Sequence, residues 1–251
     1  MNADGSGART IFQSPQEIHD LAWSPVGTRF AFVHGEAVSR QVTVVSADGI
    51  DQKHIIDRRP PTLGWGLSWS PDGRRVAIPC APNPAAFTIC LIDVDAGKPP
   101  SPLRFVQSSD NGLNLSWSPD GTRLAYAPEG GNEKIGIIDL RQMSVVSSGR
   151  SGRQPAWSPD GKRISFAAYT DGGSDDIFVM DADGSNFNRL TNHPAADRWP
   201  SWSPDGTKIA FVSKRVSGWA IYMMDADGRN PTRTTDPFED ETRPVWLSTV
   251  R

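Results

Sequence analysis

Short apolar runs separated by polar turns recur along the whole chain, and no segment sustains the 3.6-residue period of a helix. In Ile209-Ala210-Phe211-Val212, Ile209 and Phe211 fall on one face of a strand and Ala210 on the other. Ile221-Tyr222-Met223-Met224 supplies a further apolar strand, matched elsewhere by Ile177-Phe178-Val179-Met180 and Val42-Thr43-Val44-Val45. Ile89-Cys90-Leu91-Ile92 and Ile135-Gly136-Ile137-Ile138 are weaker versions. Turn chemistry closes these runs: Asp181 to Gly184 and Asp225 to Gly228 both read Asp-Ala-Asp-Gly, and Ser46-Ala47-Asp48-Gly49 is close to it. An outer strand follows, as in Phe187-Asn188-Arg189-Leu190-Thr191.

A second turn sets the period. In Trp202-Ser203-Pro204-Asp205-Gly206, Pro204 presets φ at about −65° for a type I turn, and Gly206 can take positive φ without a Cβ penalty. Full copies begin at Trp157, Trp117 and Trp69; the copy at Trp23 has Val26 in place of Asp, and Trp246-Leu247-Ser248 keeps only the Trp. Successive Trp positions differ by 46, 48, 40, 45 and 44 residues. Four strands per repeat at this spacing predict an all-β fold: a β-propeller of four-stranded antiparallel blades in one domain over 1–251. Five full repeats are expected at about 16–58, 60–108, 110–148, 150–192 and 195–236, with 1–15 and 243–251 forming a partial sixth. Unpaired N–H and C=O groups on that partial blade would invite another chain, so the ring is open, closes on five blades, or is filled by a partner or by self-association.

Composition narrows the classes. Lys and Arg number 26 against 29 Asp and Glu, a net charge of −3 that argues against a general nucleic-acid binder. No apolar run approaches the length of a transmembrane segment, and Met1-Asn2-Ala3-Asp4-Gly5 lacks the pattern of a secretory signal. Cys80 and Cys90 fall on neighbouring strands; two separate half-buried thiols are the favoured expectation, with one bridge as the alternative.

Together, the Trp-Ser-Pro-Asp-Gly turn, the following apolar strand, the Ile-Phe-Val-Met-Asp strand at Ile177 to Asp181 and Leu190-Thr191 resemble the TolB-like β-propeller repeat. The resemblance implies a periplasmic or extracytoplasmic, non-catalytic scaffold that binds a protein or peptide. It also implies an alternative, a substrate-gating propeller or fragment of a larger hydrolase or lyase, since similar propellers precede hydrolase domains. The repeats fill nearly all of the sequence, so neither TolB's extra N-terminal domain nor a hydrolase domain is expected within these residues.

Candidate chemistry is sparse. Trp23, Trp69, Trp117, Trp157 and Trp202 recur at one point of the repeat and are expected between blades as core. Asp-Ala-Asp-Gly opens like a calcium loop but lacks the distal Glu, so a hairpin turn is the better reading. Asp171 to Asp176 and Asp236 to Glu241 are better calcium candidates, but solvated loop charges are the favoured reading there too, and no cofactor is expected. The histidines form no His-Glu-x-x-His motif, and no Gly-x-Ser-x-Gly elbow occurs. The non-repeating residues three and four positions before each Trp are expected in loops at one mouth of the channel, where a ligand meets every blade. Trp65, Arg153, Arg198, Trp199 and Arg243 match the residue types of binding hot spots, with His19, Asp20, Asn114 and Gln154 around them.

Overall fold

The Trp-Ser-Pro-Asp-Gly turns each join the two innermost strands of an antiparallel sheet in the computed structural model, which describes residues 16–36, 40–56, 62–64, 66–83, 86–96, 100–103, 106, 112–128, 134–238 and 243–246. Gly206 N donates to Ser203 O at 2.9 Å with Gly206 at φ 71°, and Gly121 N closes the third blade's turn in the same way. The side chains reinforce each turn: Ser118 Oγ donates to Asp120 Oδ1 (2.6 Å) and accepts from Arg123 N (2.8 Å), while Thr122 N donates to the same carboxylate (3.0 Å). Where Val26 replaces the Asp, Ser24 Oγ is buried without a hydrogen-bond partner.

Five sheets result. The first blade is β1–β4 (Ile18–Trp23, Arg29–His34, Gln41–Ser46, Gln52–Ile56), paired in chain order. In the second, β5–β9 (Thr62–Leu63, Ser68–Trp69, Arg75–Asn83, Ala86–Asp93, Ser101–Pro102), β5 and β6 together make one interrupted inner strand along β7. The third is β10–β13 (Leu113–Trp117, Arg123–Pro128, Lys134–Asp139, Ser144–Ser151). The fourth is β14–β17 (Arg153–Trp157, Arg163–Tyr169, Asp175–Asp181, Asn188–Arg189), and the fifth β18–β21 (Asp197–Trp202, Lys208–Val216, Gly218–Asp225, Thr232–Arg233). The expected four-stranded antiparallel blades are thus present. Arg243–Trp246 is not a strand, and the other residues expected in a partial sixth blade, 1–15 and 247–251, lie outside the described ones. Among the described residues no helix is long and apolar enough to cross a membrane.

The core lies between blades rather than within them. One apolar cluster joins Val42 and Val44 of the first blade to Trp69 and Ile78 of the second; another joins Ile135 and Ile137 to Trp157 and Phe166. Trp69, Trp117, Trp157 and Trp202 are 5–7% exposed, as expected of core, whereas Trp23 is 43% exposed. Indole N–H groups stitch the blades: Trp69 donates to Ala22 O (2.9 Å), Trp117 to Ser68 O (3.2 Å) and Trp202 to Ala156 O (3.2 Å). Trp246 makes the same bond to Ser201 O at 3.0 Å.

Cys80 and Cys90 are joined in a disulfide, not held as separate thiols. They sit on β7 and β8, two residues apart in register and so on the same face: Cys80 faces Thr88 and Cys90 faces Ile78. Their Cα atoms are 5.8 Å apart, within the range a bridge requires.

Candidate functional site

A channel of about 960 Å³ is lined by the innermost segments of all five blades and by Arg243, Pro244 and Val245. Its wall follows the repeat. Two residues before each Trp stand Leu21, Leu67, Leu115, Pro155, Pro200 and Pro244; one residue nearer come Ala22, Ser68, Ser116, Ala156, Ser201 and Val245. The wall is therefore mostly apolar, with serine hydroxyls interspersed.

Of the residues three positions before each Trp, four lie in inner strands rather than loops, while Gly66 and Arg243 lie outside any strand. Asp20, Asn114, Gln154 and Trp199 belong to β1, β10, β14 and β18. An extra residue bulges β14 between Arg153 and Ala156 and β18 between Arg198 and Ser201, which lets Pro155 and Pro200 sit in inner strands. Gln154 (φ 56°) and Trp199 (φ 52°) take the left-handed conformation at these bulges. Gly66, at the equivalent point, has φ 103°, and a Cβ there would meet Leu113 O at 1.7 Å.

Several of these side chains reach into the next blade. Gly66 N and Leu67 N donate to Asp20 Oδ2 (2.9 and 2.6 Å), and Leu21 N donates to its Oδ1 (2.9 Å). Gln154 N donates to Asn114 Oδ1 (3.1 Å), and Trp199 N donates to Gln154 Oε1 (2.9 Å). Asp20, Asn114 and Gln154 thus act as latches between neighbouring inner strands, satisfying backbone N–H groups that a bulged ladder leaves open. The next step around the ring is a stack: the Arg243 guanidinium lies 4.1 Å from the centroid of Trp199.

Other sequence-predicted contacts are placed differently. Arg198 Nε donates to Asp175 Oδ2 (2.6 Å), and Arg153 Nη2 lies 3.7 Å from Asp175 Oδ1, so both guanidinia converge on one buried carboxylate. His19 Nε2 donates to Gly35 O (2.7 Å) within the first blade. Trp65 lies outside the described residues. Of the first acidic stretch, Asp175 and Asp176 turn inward; Asp176 is fully buried, accepting from Arg189 Nη2 (2.5 Å) and Thr191 Oγ1 (3.1 Å). Among the described residues no group of three or more His, Cys, Asp or Glu is arranged to hold a metal ion.

Two features escape a linear reading. Six residues after the repeat Trp comes a cation, and Arg29, Arg75, Arg123 and Arg163 each lie over the next blade's Trp at 5.7, 5.1, 4.6 and 4.7 Å. Their recurrence at a fixed offset was the available signal. The first blade also gathers three histidines: His34 Nε2 and His54 Nδ1 both meet Thr43 Oγ1 at 2.8 Å. Burial, and then the neighbouring His54 and His19, hold His34 below its ordinary pKa. The turn carboxylates are also held low, chiefly by their serine hydroxyls: Asp120 and Asp205 fall to about 2, and Asp72 and Asp160 shift the same way.

Stacked four-stranded blades around an axial channel, with a tryptophan between each pair, define a β-propeller. The sequence model of the TolB beta propeller domain matches residues 79–249, and the chain belongs to that family. A protein assigned as TolB in Agrobacterium tumefaciens is 25% identical, with a TM-score of 0.70 over 90% of this chain and 83% of that one. TolB from Acinetobacter baumannii is 24% identical, with a TM-score of 0.67 over 82% of this chain; the match spans about half (52%) of that protein. An oligogalacturonate lyase from Vibrio parahaemolyticus shares the fold at 12% identity, with a TM-score of 0.65 over 89% of this chain and 67% of that one. No curated protein matches the sequence.

Proposed function

We propose that this chain is a non-catalytic scaffold that recognises a protein or peptide at its channel. The observation that carries the reading is the channel itself, walled by apolar and hydroxyl side chains on inner strands that are latched to one another. Such walls are set before a ligand arrives, so little ordering entropy is lost on binding. Trp199 and Arg243 are the contacts best placed on this wall, while Arg153 and Arg198 support it from behind through Asp175. Family membership favours the same reading, and no step of it calls for a cofactor. The enzyme alternative has a fold likeness to a lyase behind it, while among the described residues no group of three or more His, Cys, Asp or Glu is arranged to hold a metal ion.

The buried Cys80–Cys90 bridge supports an extracytoplasmic location, because such bonds persist in oxidising compartments. The Trp246 bond to Ser201 O supports Arg243–Trp246 as occupying the inner place of a partial sixth blade without forming a strand, and exposed Trp23 offers an apolar face for self-association. The test places a bulky group in the channel. Ser68→Trp should lower recovery of a crosslinked or affinity-captured partner about ten-fold or more while leaving the circular dichroism spectrum intact. Unchanged recovery by the folded variant refutes the proposal.

A further inference from the structure

Of the described residues that line the channel, Arg243 alone carries a charge at neutral pH; no Asp, Glu or Lys stands on the wall. Among the described residues, Arg153 and Arg198 are held by Asp175, and Arg215 by Asp197 at 2.7 Å. Asp20, next around the ring, is occupied by three backbone N–H groups. No ion pair of Arg243 is found among the described residues; what holds its guanidinium is the Trp199 ring at 4.1 Å. A guanidinium held over a ring rather than by a carboxylate has not spent its forked N–H donors on an ion pair, and such a fork binds a carboxylate in two parallel bonds. Trp199 is fixed for this purpose by a left-handed backbone and by the bond from its N–H to Gln154.

We propose that Arg243, stacked on Trp199, receives the C-terminal carboxylate of a peptide that enters the channel end-first. The inference rests on the binding role proposed above and names its ligand. The channel is lined by inner segments of all five blades and by Arg243, Pro244 and Val245, a depth of wall that the end of a chain enters more readily than its middle. Of the two ends, an ammonium is repelled by Arg243 and a carboxylate attracted. The apolar wall of Leu21, Leu67, Leu115, Pro155 and Pro200 then favours small or apolar residues before that carboxylate.

The probe is acetyl-Gly-Ala-Leu with a free carboxylate, compared with the same peptide as its C-terminal amide, each titrated against the full chain while indole N–H resonances are followed by NMR. The free acid should bind about ten-fold more tightly than the amide, shift the Trp199 indole, and lose its advantage in Arg243→Gln. Arg243→Lys should keep part of the preference through charge alone. Equal affinity of acid and amide in the wild type overturns the carboxylate receptor; if Ser68→Trp blocks both, the broader binding role survives. Binding of neither peptide also overturns it, and the Ser68→Trp capture experiment then decides the broader role separately. Retention of the acid's advantage in Arg243→Gln overturns it as well.

Discussion

The same tryptophan performs unequal work in different blades, and the inequality can be measured. Trp202 is 7% exposed, donates its indole N–H to Ala156 O, and lies beneath Arg163. Truncating a buried Trp costs about 3–5 kcal/mol through lost burial and the cavity left behind. Trp23 occupies the same place in its repeat but is 43% exposed, because no described blade precedes it. With little more than half of its surface covered, Trp23→Ala should cost about 2 kcal/mol, against about 4 kcal/mol for Trp202→Ala. For a domain of this size 1 kcal/mol moves Tm by about 2–4 °C, so the variants should melt roughly 6 and 12 °C below the wild type. Calorimetry and equilibrium urea unfolding read both. Equal losses, or a larger one at Trp23, would refute the view that each tryptophan is worth the surface its preceding blade covers.

Further consequences can be checked alongside. Replacing Cys80 and Cys90 together by Ala removes a bridge of sequence separation 10 and should cost about 3 kcal/mol in urea unfolding; an unchanged midpoint would contradict it. Asp120 titrates at about 2 in the folded protein, below its ordinary 3.8, so it stabilises the fold in its ionised form. That contribution is complete above about pH 4 and is lost as the pH falls through about 2. Ser118→Ala removes the largest cause and should move the Asp120 carboxyl midpoint up towards 3.8 in a carbon-detected NMR titration; a midpoint that stays at about 2 would count against the Ser118 hydroxyl as that cause.

The fold was legible because one hydrogen-bonded turn, Ser118 with Asp120 and its copies, repeats with its neighbours at a constant offset. A period carries less about the site. Asp20, Asn114 and Gln154 read as loop residues, yet they occupy inner strands and spend their side chains on the next blade. Which way such a side chain turns depends on the bulges before Ala156 and Ser201, and an irregularity in register leaves no periodic trace. The Cys80–Cys90 bond was hidden for the same reason, since the register of β7 on β8, here an offset of two residues, decides whether two thiols meet. The cations over each tryptophan were visible in principle. Arg29, Arg75, Arg123 and Arg163 keep one offset, but their partners lie in the following repeat rather than their own.

Because the only two cysteines are spent within one hairpin, the wheel has no covalent hoop: its spokes adhere through indoles, guanidinia, polar latches and greasy seams. Loss of a seam can therefore travel from one spoke to the next without any bond being cut. The spoke bearing Trp23, the least covered of the described tryptophans, is the expected starting point of such peeling. The staple in the neighbouring hairpin holds that hairpin's own strands together without tying one spoke to another.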